Sequence, residues 1–205
     1  MTWVSAKGIT PPGFPTYDPK RINPNAEYNL EAAREKMKEA IKVHGGPIPD
    51  ITLLMAGNDT ASRQSGELLQ QMMRQIGIRL KVDYVTWARF LEMIDGKQAQ
   101  FFSLGWQADY PDEQTFFQLL YGKNQSPGPN SANYNNPRFN ELYEKTLVME
   151  LSPERDKLYR EMEAMVLEDC PWILNFSPII FTLYYDWCTP RPPNTYAHGR
   201  WAHAT

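Results

Sequence analysis

Short segments with strand character alternate with amphipathic segments along this chain, and that order restricts the fold more than any other feature of the sequence. Three segments have the apolar content or the two-residue alternation of strands, over 51–56, 79–85 and 101–106. Segments with helical apolar spacing precede and separate them. Parallel neighbouring strands need a crossover connection, usually a helix. We therefore predict an α/β fold with a mixed, mostly parallel sheet flanked by helices.

The two ends of the chain differ in composition from its middle. Prolines are concentrated within residues 1–28, where they exclude helix, and aromatic residues lie between them. We predict an extended strap over 1–28 that lies on a surface. Residues 29–183 are predicted to form one α/β lobe, and the Pro-rich, aromatic residues 184–205 are predicted to form a tail.

Helix starts within the predicted lobe are marked by polar residues that can cap a helix. They are Asn29, Thr86, Asn136 and Ser152. A further helix is predicted over about 113–121. The helix after Asn136 is predicted to bury Phe139, Leu142, Tyr143, Thr146 and Leu147. A final pair of strands, over 172–176 and 179–185, is predicted to turn near Pro178.

Composition and motifs argue against several classes of protein. The chain has 205 residues and a formal net charge of −3, so it has no basic field that would attract nucleic acid or anionic lipid. It has no run of 18 apolar residues. It lacks the G-x-S-x-G, P-loop and G-x-G-x-x-G motifs, and its three histidines lack helical metal-ligand spacing. We predict no catalytic residue, no metal site and no cofactor.

The two cysteines, Cys170 and Cys188, fit neither a zinc spacing nor a C-x-x-C redox motif. A hairpin that turned near Pro178 could bring them close enough for a disulfide. Two unpaired thiols are the simpler expectation, since a disulfide depends on the compartment in which the protein resides.

The segment SLGWQADYPDEQTFFQLLYG, residues 103–122, combines features that suit a binding site. Gly105 lacks a side chain, so another backbone can come close. Trp106 offers a flat apolar wall with one N–H donor. Asp109 offers a charge for a cation such as an ammonium group. Open α/β sheets bind ligands beyond the carboxyl ends of their strands. The alternative is a Trp packed in the core and an Asp that forms a turn bond.

Two further acids follow Asp109 in the same segment. Asp112 precedes the predicted helix and Glu113 opens it, where negative charge meets the positive end of the helix dipole. We predict helix capping for both, in preference to paired acids or a cation site. Asp109 lies too early in the chain to cap this helix.

Six segments together resemble the C-terminal lobe of the family 5 solute-binding proteins, which are the extracytoplasmic receptors of oligopeptide, dipeptide and nickel ABC importers. The resemblance is carried by GWQADYPD with the aromatic helix after it, SANYNNPRFNELYEK and SPERDKLYREMEAMVLEDCPWILNFSP. Earlier in the chain it is carried by GITPPGFPTYDP, YNLEAAREKMKEA and the run from ITLLMAGND to FLEMI. It covers nearly all of the chain in the order found in the family.

This resemblance implies a lobe of the type II periplasmic-binding-protein kind, in a receptor that closes on its ligand and has no catalysis of its own. It implies that Asp109 receives the α-ammonium group of a peptide. The backbone at Gly105 and Gln107 would pair with the peptide main chain, and Trp106 would line the pocket. The Gly-Trp-x-x-Asp pattern is intact in this sequence.

Family members are much longer, so the resemblance implies that this chain is a fragment that supplies one of two lobes. Residues 1–28 would connect the lobes, and residues 184–205 would return toward the other lobe. The implied partners are a peptide or other small solute and the ABC permease subunits, without nucleic acid. The implied location is periplasmic or extracytoplasmic, with contact to the membrane only through the permease or through a lipid anchor absent from this chain.

Two rival interpretations remain. Lobes of this kind are also found in regulatory proteins, where ligand occupancy is a signal, although no basic pair of DNA-binding helices is present here. An enzyme would have Asp109, Asp112 and Glu113 as its only candidate acids.

Overall fold

A computed structural model describes residues 2–23, 25–179, 181 and 183–188 of the chain. The chain divides into two compact units. The first contains the described residues of Met1–Glu27, Trp106–Gln125 and Ala132–Thr205, and the second contains Tyr28–Gly105 and Ser126–Ser131.

The helices and strands follow one another in the order β1 (Thr2–Ser5), α1 (Leu30–His44), β2 (Ile51–Ala56), α2 (Thr60–Arg74), β3 (Leu80–Val85), α3 (Trp87–Asp95), β4 (Phe101–Phe102), α4 (Gln114–Phe117), α5 (Pro137–Thr146), α6 (Pro153–Asp169) and β5 (Phe176–Ile179). Two short 3₁₀ turns, Gln118–Leu120 and Gly122–Asn124, follow α4. No helix of the part that the structure describes is long and apolar enough to cross a membrane.

The second unit contains a three-stranded parallel sheet in the order β3-β2-β4. Ile51 is opposite Leu80 in one pairing, and Leu53 is opposite Phe101 in the other. The core of this unit is formed by Leu54 of the central strand together with Phe90 and Ile94 of α3. The alternation of strands and helices therefore produces the parallel sheet that the sequence predicts.

The helices of the second unit begin at polar caps. The Asn29 side chain accepts a hydrogen bond from the Ala32 amide at 2.9 Å, and Asp59 and Thr86 cap α2 and α3 in the same way. Gly45 ends α1 with a φ of 79°, a left-handed conformation that favours glycine. The caps predicted at Asn29 and Thr86 are confirmed.

The first unit is held together by aromatic packing between α4, α5 and α6. Its core includes Phe117, Phe139, Tyr143 and Tyr159, all at most 2% exposed. Ring centroids of Phe117 and Tyr159 lie 4.8 Å apart. Asn136 and Ser152 cap α5 and α6 as predicted.

Three predictions about strands and their connections are wrong in detail. The strand predicted over 101–106 ends at Phe102, because only Leu53 and Leu54 of the central strand pair with it. The strands predicted over 172–176 and 179–185 are replaced, within the described residues, by β5 alone. Its partner is β1 of the strap, with Trp3 opposite Pro178 in an antiparallel pair. Pro178 therefore lies within a two-stranded ladder and not in a turn, a position that proline tolerates at a sheet edge.

Leu147 is also placed differently from the prediction. It is 50% exposed, whereas Phe139, Leu142, Tyr143 and Thr146 are buried as expected. Leu147 is the C-cap residue of α5 and keeps a right-handed helical conformation, so it is exposed at the end of the helix although the helical geometry continues to it.

A buried carboxylate attaches the strap to helix α6. The Glu163 side chain is 2% exposed, and its Oε1 accepts from the amides of Ile9 at 2.7 Å and Thr10 at 3.4 Å. Its Oε2 lies 2.5 Å from the Arg21 guanidinium. Burial raises the pKa of the Glu163 carboxyl more than Arg21 and the two amides lower it. The strap is therefore held by a carboxyl group that is largely removed from solvent.

A second buried carboxylate, Glu113, holds the strap at another point. Glu113 occupies the N-cap position of α4, but its side chain makes no cap hydrogen bond. It is 2% exposed and accepts from the Thr16 amide at 3.0 Å. The predicted capping role of the Glu113 side chain is therefore wrong, because the strap supplies a donor that the local sequence does not show.

Candidate functional site

The predicted site lies in the segment from Gly105 to Asp112, which we call the Gly-Trp turn. Gly105 is the last residue of one stretch of the second unit, and Trp106 begins a stretch of the first unit. The φ of Gly105 is not positive, so its backbone does not require glycine. No described atom lies within 4 Å of the position that a Cβ would take. The glycine therefore leaves open space beside the main chain.

The main chain before Asp109 is not used by the described part of the protein. The peptide groups of Leu104, Gly105, Trp106 and Gln107 make no hydrogen bond to any described residue. Buried peptide groups are nearly always paired, whereas exposed ones can pair with solvent or a ligand. Gly105 is exposed and Gln107 is half-buried. These groups are therefore available to the main chain of an extended ligand.

Trp106 presents part of its ring to solvent. The residue is 44% exposed, and its Nε1–H donates to the Thr115 hydroxyl at 3.4 Å. The same hydroxyl accepts from the Asp109 amide at 3.4 Å, and Thr115 itself is fully buried. One hydroxyl oxygen therefore connects the indole to the backbone of Asp109. Packing of Trp106 in the core, the alternative left open by the sequence, does not agree with this exposure.

Asp109 and Asp112 have different surroundings although they lie in the same turn. The Asp109 carboxylate is exposed and has no hydrogen-bond or ion-pair partner among the described residues. Asp112 is half-buried, and its carboxylate accepts from the Gln114 amide at 2.9 Å. The capping role predicted for Asp112 is confirmed by this bond. Asp109 is the carboxylate whose charge remains available to a ligand.

The Asp112 carboxylate is also paired with Arg155 of α6. The two guanidinium nitrogens lie 2.8 and 3.1 Å from the two carboxylate oxygens. Arg155 is 6% exposed, and its third donor bonds to the Thr146 carbonyl at 3.0 Å. Burial lowers the pKa of Arg155. The bond to Asp112 and the nearby acidic groups raise this pKa by more than burial lowers it, so the net shift is upward.

Tyr110 lies between the two carboxylates in sequence and is 40% exposed. Burial raises the pKa of its hydroxyl, and the charges of Asp112 and Asp109 raise it further. The phenol therefore stays neutral at physiological pH, where it can line the turn and exchange hydrogen bonds with a ligand.

The sequence analysis missed three residues that shape this site: Tyr110, Thr115 and Arg155. Arg155 had a detectable signal, because it lies seven residues, about two helical turns, before the apolar Met162 and so shares its side of α6. A charged residue on the buried side of a helix needs a partner. Thr115 had no such signal.

A metal site is not supported at these acids. The described residues contain no group of three or more potential ligands that could hold a metal ion. Asp112 is engaged by Arg155, and Glu113 is buried against Thr16. Cys170 and Cys188 are both free thiols.

Comparison with known proteins agrees with the fold. Residues 3–128 match the family model described as bacterial extracellular solute-binding proteins, family 5 Middle. The chain is 20% identical over 182 residues to the oligopeptide-binding protein OppA of Bacillus subtilis, covering 87% of this chain and 32% of that protein. It is 24% identical over 182 residues to heme-binding protein A of Haemophilus influenzae, covering 86% of this chain and 33% of that protein.

A solved structure shows the same fold. The periplasmic binding protein DppA from Helicobacter pylori, in complex with the peptide STSA, superposes with a TM-score of 0.75 at 21% identity. The match covers 85% of this chain and 33% of that one. The predicted α/β lobe of the type II periplasmic-binding-protein kind is thereby confirmed. The chain spans about a third of the length of the curated relatives it matches. Since the family model covers more than half of its residues, the chain belongs to the bacterial extracellular solute-binding proteins of family 5.

Proposed function

We propose that this chain is the C-terminal lobe of the substrate-binding component of an ABC importer, and that it binds peptides or peptide-like solutes. Members of this family are transport receptors and not enzymes. In this proposal residues 1–28 connect the two lobes, residues 29–183 form the ligand-binding lobe and residues 184–205 return toward the other lobe. The receptor delivers its ligand to the permease subunits from a periplasmic or extracytoplasmic location. The full-length receptor is either free or attached to the membrane by a lipid anchor.

The observation that carries the proposal is the Asp109 carboxylate, which has no partner among the described residues, in a turn whose other acid, Asp112, is paired with Arg155. An ammonium group and a carboxylate form a charge-assisted hydrogen bond, which is shorter and stronger than a neutral one. The half-exposed ring of Trp106 is linked to the Asp109 amide through Thr115. A ligand with a positive end and an apolar body would meet both groups.

The peptide groups from Gly105 to Gln107, which make no hydrogen bond to any described residue, support a peptide ligand over a compact one. An extended peptide can pair its main chain with exposed peptide groups of a protein, which gives affinity without depending on side-chain identity. The open space at Gly105 lets that main chain approach. Selectivity among peptides would then depend on side-chain pockets to which the other lobe also contributes.

A thermal-shift screen tests this proposal. A ligand that binds only the folded protein raises the melting temperature of the protein by an amount that depends on the ratio of ligand concentration to Kd. Millimolar ligand should therefore give a measurable rise even if a single lobe binds weakly. We expect free-amine tripeptides to raise the melting temperature more than hemin, nickel chelates or sugars do. Asp109→Asn should abolish the rise.

The control is Asp83→Asn, which removes an equal charge from an exposed position on β3 of the second unit. It should respond to tripeptides like the wild type. A rise with hemin or a nickel chelate that persists in Asp109→Asn, without any response to tripeptides, would contradict the proposal.

A further inference from the structure

Arg155 packs against the end of the Gly-Trp turn, and several contacts hold its side chain. Its guanidinium holds both oxygens of Asp112 and the Thr146 carbonyl, and it lies 5.0 Å from the centre of the Tyr159 ring. A bidentate pair between arginine and a carboxylate fixes geometry as well as charge. Arg155 also belongs to a long helix, so its backbone position is set by the core.

Asp112 transmits this constraint to the turn. Its carboxylate accepts from Arg155, from the Gln114 amide and from the Tyr159 hydroxyl at 3.4 Å. Its own amide donates to the Tyr110 carbonyl at 2.9 Å, and its carbonyl accepts from the Thr115 amide at 3.2 Å. The end of the turn is therefore fixed to α6 through one side chain.

Asp109 has no such anchor of its own. Its side chain is unpartnered among the described residues, and its amide is held only by the 3.4 Å bond to Thr115. The position of its carboxylate consequently depends on its neighbours in the chain: Ala108, which is buried in the core of the first unit, and the segment from Tyr110 to Asp112, which closes the turn. Pairing with Arg155 also offsets the charge of Asp112, so that it does not compete with Asp109 for a cation.

We infer that Arg155 is a positioning residue for ligand recognition: through its bidentate pair with Asp112 it holds the Gly-Trp turn in the shape that presents the Asp109 carboxylate to the ammonium group of a ligand. This inference rests on the proposed function. It concerns a residue that is 6% exposed and lies 46 positions after Asp109 in sequence.

An electrostatic role and a positioning role of Arg155 predict opposite effects on ligand affinity. If Arg155 acted only as a nearby positive charge, its removal would strengthen binding of a cationic group, because the turn would become more negative. If it acts by position, a variant that keeps the charge but loses the planar fork should weaken binding. Arg155→Lys is that variant, since lysine cannot hold both carboxylate oxygens with the fixed geometry of arginine.

The test measures dissociation constants for a free-amine tripeptide and its N-acetylated form by NMR titration of the 205-residue chain. The ratio of the two constants reports recognition of the ammonium group, whereas a smaller folded fraction would affect both ligands equally. In the wild type we expect the free amine to bind roughly tenfold or more tightly, as for hydrogen bonds to charged groups. In Arg155→Lys this ratio should fall toward one.

Arg160→Lys is the matched control, because Arg160 lies on the exposed side of the same helix. It should keep the wild-type ratio. If Arg155→Lys does not fold, Asp112→Glu replaces it, since it keeps both charges and shifts the turn by one methylene. Its ratio should also fall toward one.

Two results would overturn the inference, and they are distinguishable. A wild-type ratio near one would refute the ammonium site itself and, with it, the positioning role. A high wild-type ratio that Arg155→Lys, or Asp112→Glu in its place, retains or increases would refute the positioning role alone.

Discussion

At the scale of single residues, the contrast between Asp109 and Asp112 is the central feature of the site. The sequence separates them only by position, since Asp109 lies too early to cap the following helix. The structure separates them by partner, because Arg155 and the Gln114 amide occupy Asp112. That pairing joins residues 43 positions apart. No local pattern shows this pairing. The sequence could therefore identify Asp109 as a candidate ligand-binding residue, but it could not show that the Asp112 carboxylate is occupied by Arg155.

Thr115 provides a residue-scale test of how the turn is organised. Thr115→Val keeps the shape but removes the oxygen that accepts from the Trp106 indole and the Asp109 amide. We expect a loss of about 1 kcal/mol in the free energy of unfolding, the usual net value of a hydrogen bond. The indole N–H of Trp106 should exchange faster with solvent, as measured by NMR. Thr115→Ser keeps the oxygen and should exchange like the wild type. Slow exchange in Thr115→Val would refute the role of this hydroxyl.

Glu163 provides a test that depends on pH. Its folded-state pKa is raised above the ordinary 4.5 by burial, so the folded state binds the proton more tightly than the unfolded state does. Its contribution to stability is therefore fully present below pH 4.5 and is lost as pH rises through the folded pKa. We expect the unfolding free energy of the wild type to fall relative to Glu163→Gln over that range, as measured by urea denaturation at a series of pH values.

Glu168→Gln is the control for this experiment, since Glu168 is an exposed glutamate on the same helix. It should show no such difference from the wild type. If the wild type instead gained stability over Glu163→Gln as pH rose, Arg21 and the two amides would outweigh burial, and our account of this carboxylate would be wrong.

At the scale of elements, the strap is attached to helix α6 by close contact as well as by the polar contacts of Glu163. A Cβ at Gly8 would overlap the Glu163 carboxylate, which is buried and cannot move aside easily. We expect Gly8→Ala to lower the free energy of unfolding by about 1–3 kcal/mol, the usual cost of overpacking. Urea denaturation would measure this loss.

Gly46→Ala is the matched substitution, because nothing lies within 4 Å of its Cβ position and its φ is not positive. It should change stability by less than about 0.5 kcal/mol, as is usual for surface positions. Equal effects of the two substitutions would show that the strap does not depend on close packing at Gly8.

Prediction of the elements from sequence succeeded where local signals are strong. The caps at Asn29, Thr86, Asn136 and Ser152 are set by side chains that bond to amides two or three residues ahead. The apolar run of β2 and the alternation of β3 are equally local. Prediction failed for the strand pairs, because the partner of β5 is β1 at the other end of the chain. Pairing over such a distance leaves no trace in a window of ten residues.

Helix α6 shows the same limit for the candidate site. Its apolar spacing predicts the buried Met162 and Val166, but Arg155 and Glu163 share the buried side. A charged residue in such a position indicates a partner without identifying it. Those partners are Asp112 in the turn and the strap residues Ile9 and Arg21. The sequence could therefore have indicated that α6 makes buried polar contacts with other segments, but it could not have identified those segments.

At the scale of the whole molecule, closure of the proposed receptor depends on a ligand that binds one conformation more tightly than the other. A ligand that contacts two lobes binds the closed form better and shifts the population toward it by its differential affinity. The chain spans about a third of its curated relatives, and it carries the turn on which the proposed ammonium contact depends. Binding to this chain alone should therefore be weak but should retain its preference for a free amine.

NMR mapping tests this central claim most directly. Amide and indole resonances of the isotope-labelled chain would be followed during titration with a free-amine tripeptide and with its N-acetylated form. Trp106→Phe identifies the Trp106 indole among the six tryptophans. We predict that the free amine shifts the resonances of Trp106, Gln107 and Asp109, and that acetylation or Asp109→Asn removes these shifts. Equal shifts with the acetylated peptide, or shifts confined to other parts of the chain, would contradict the account.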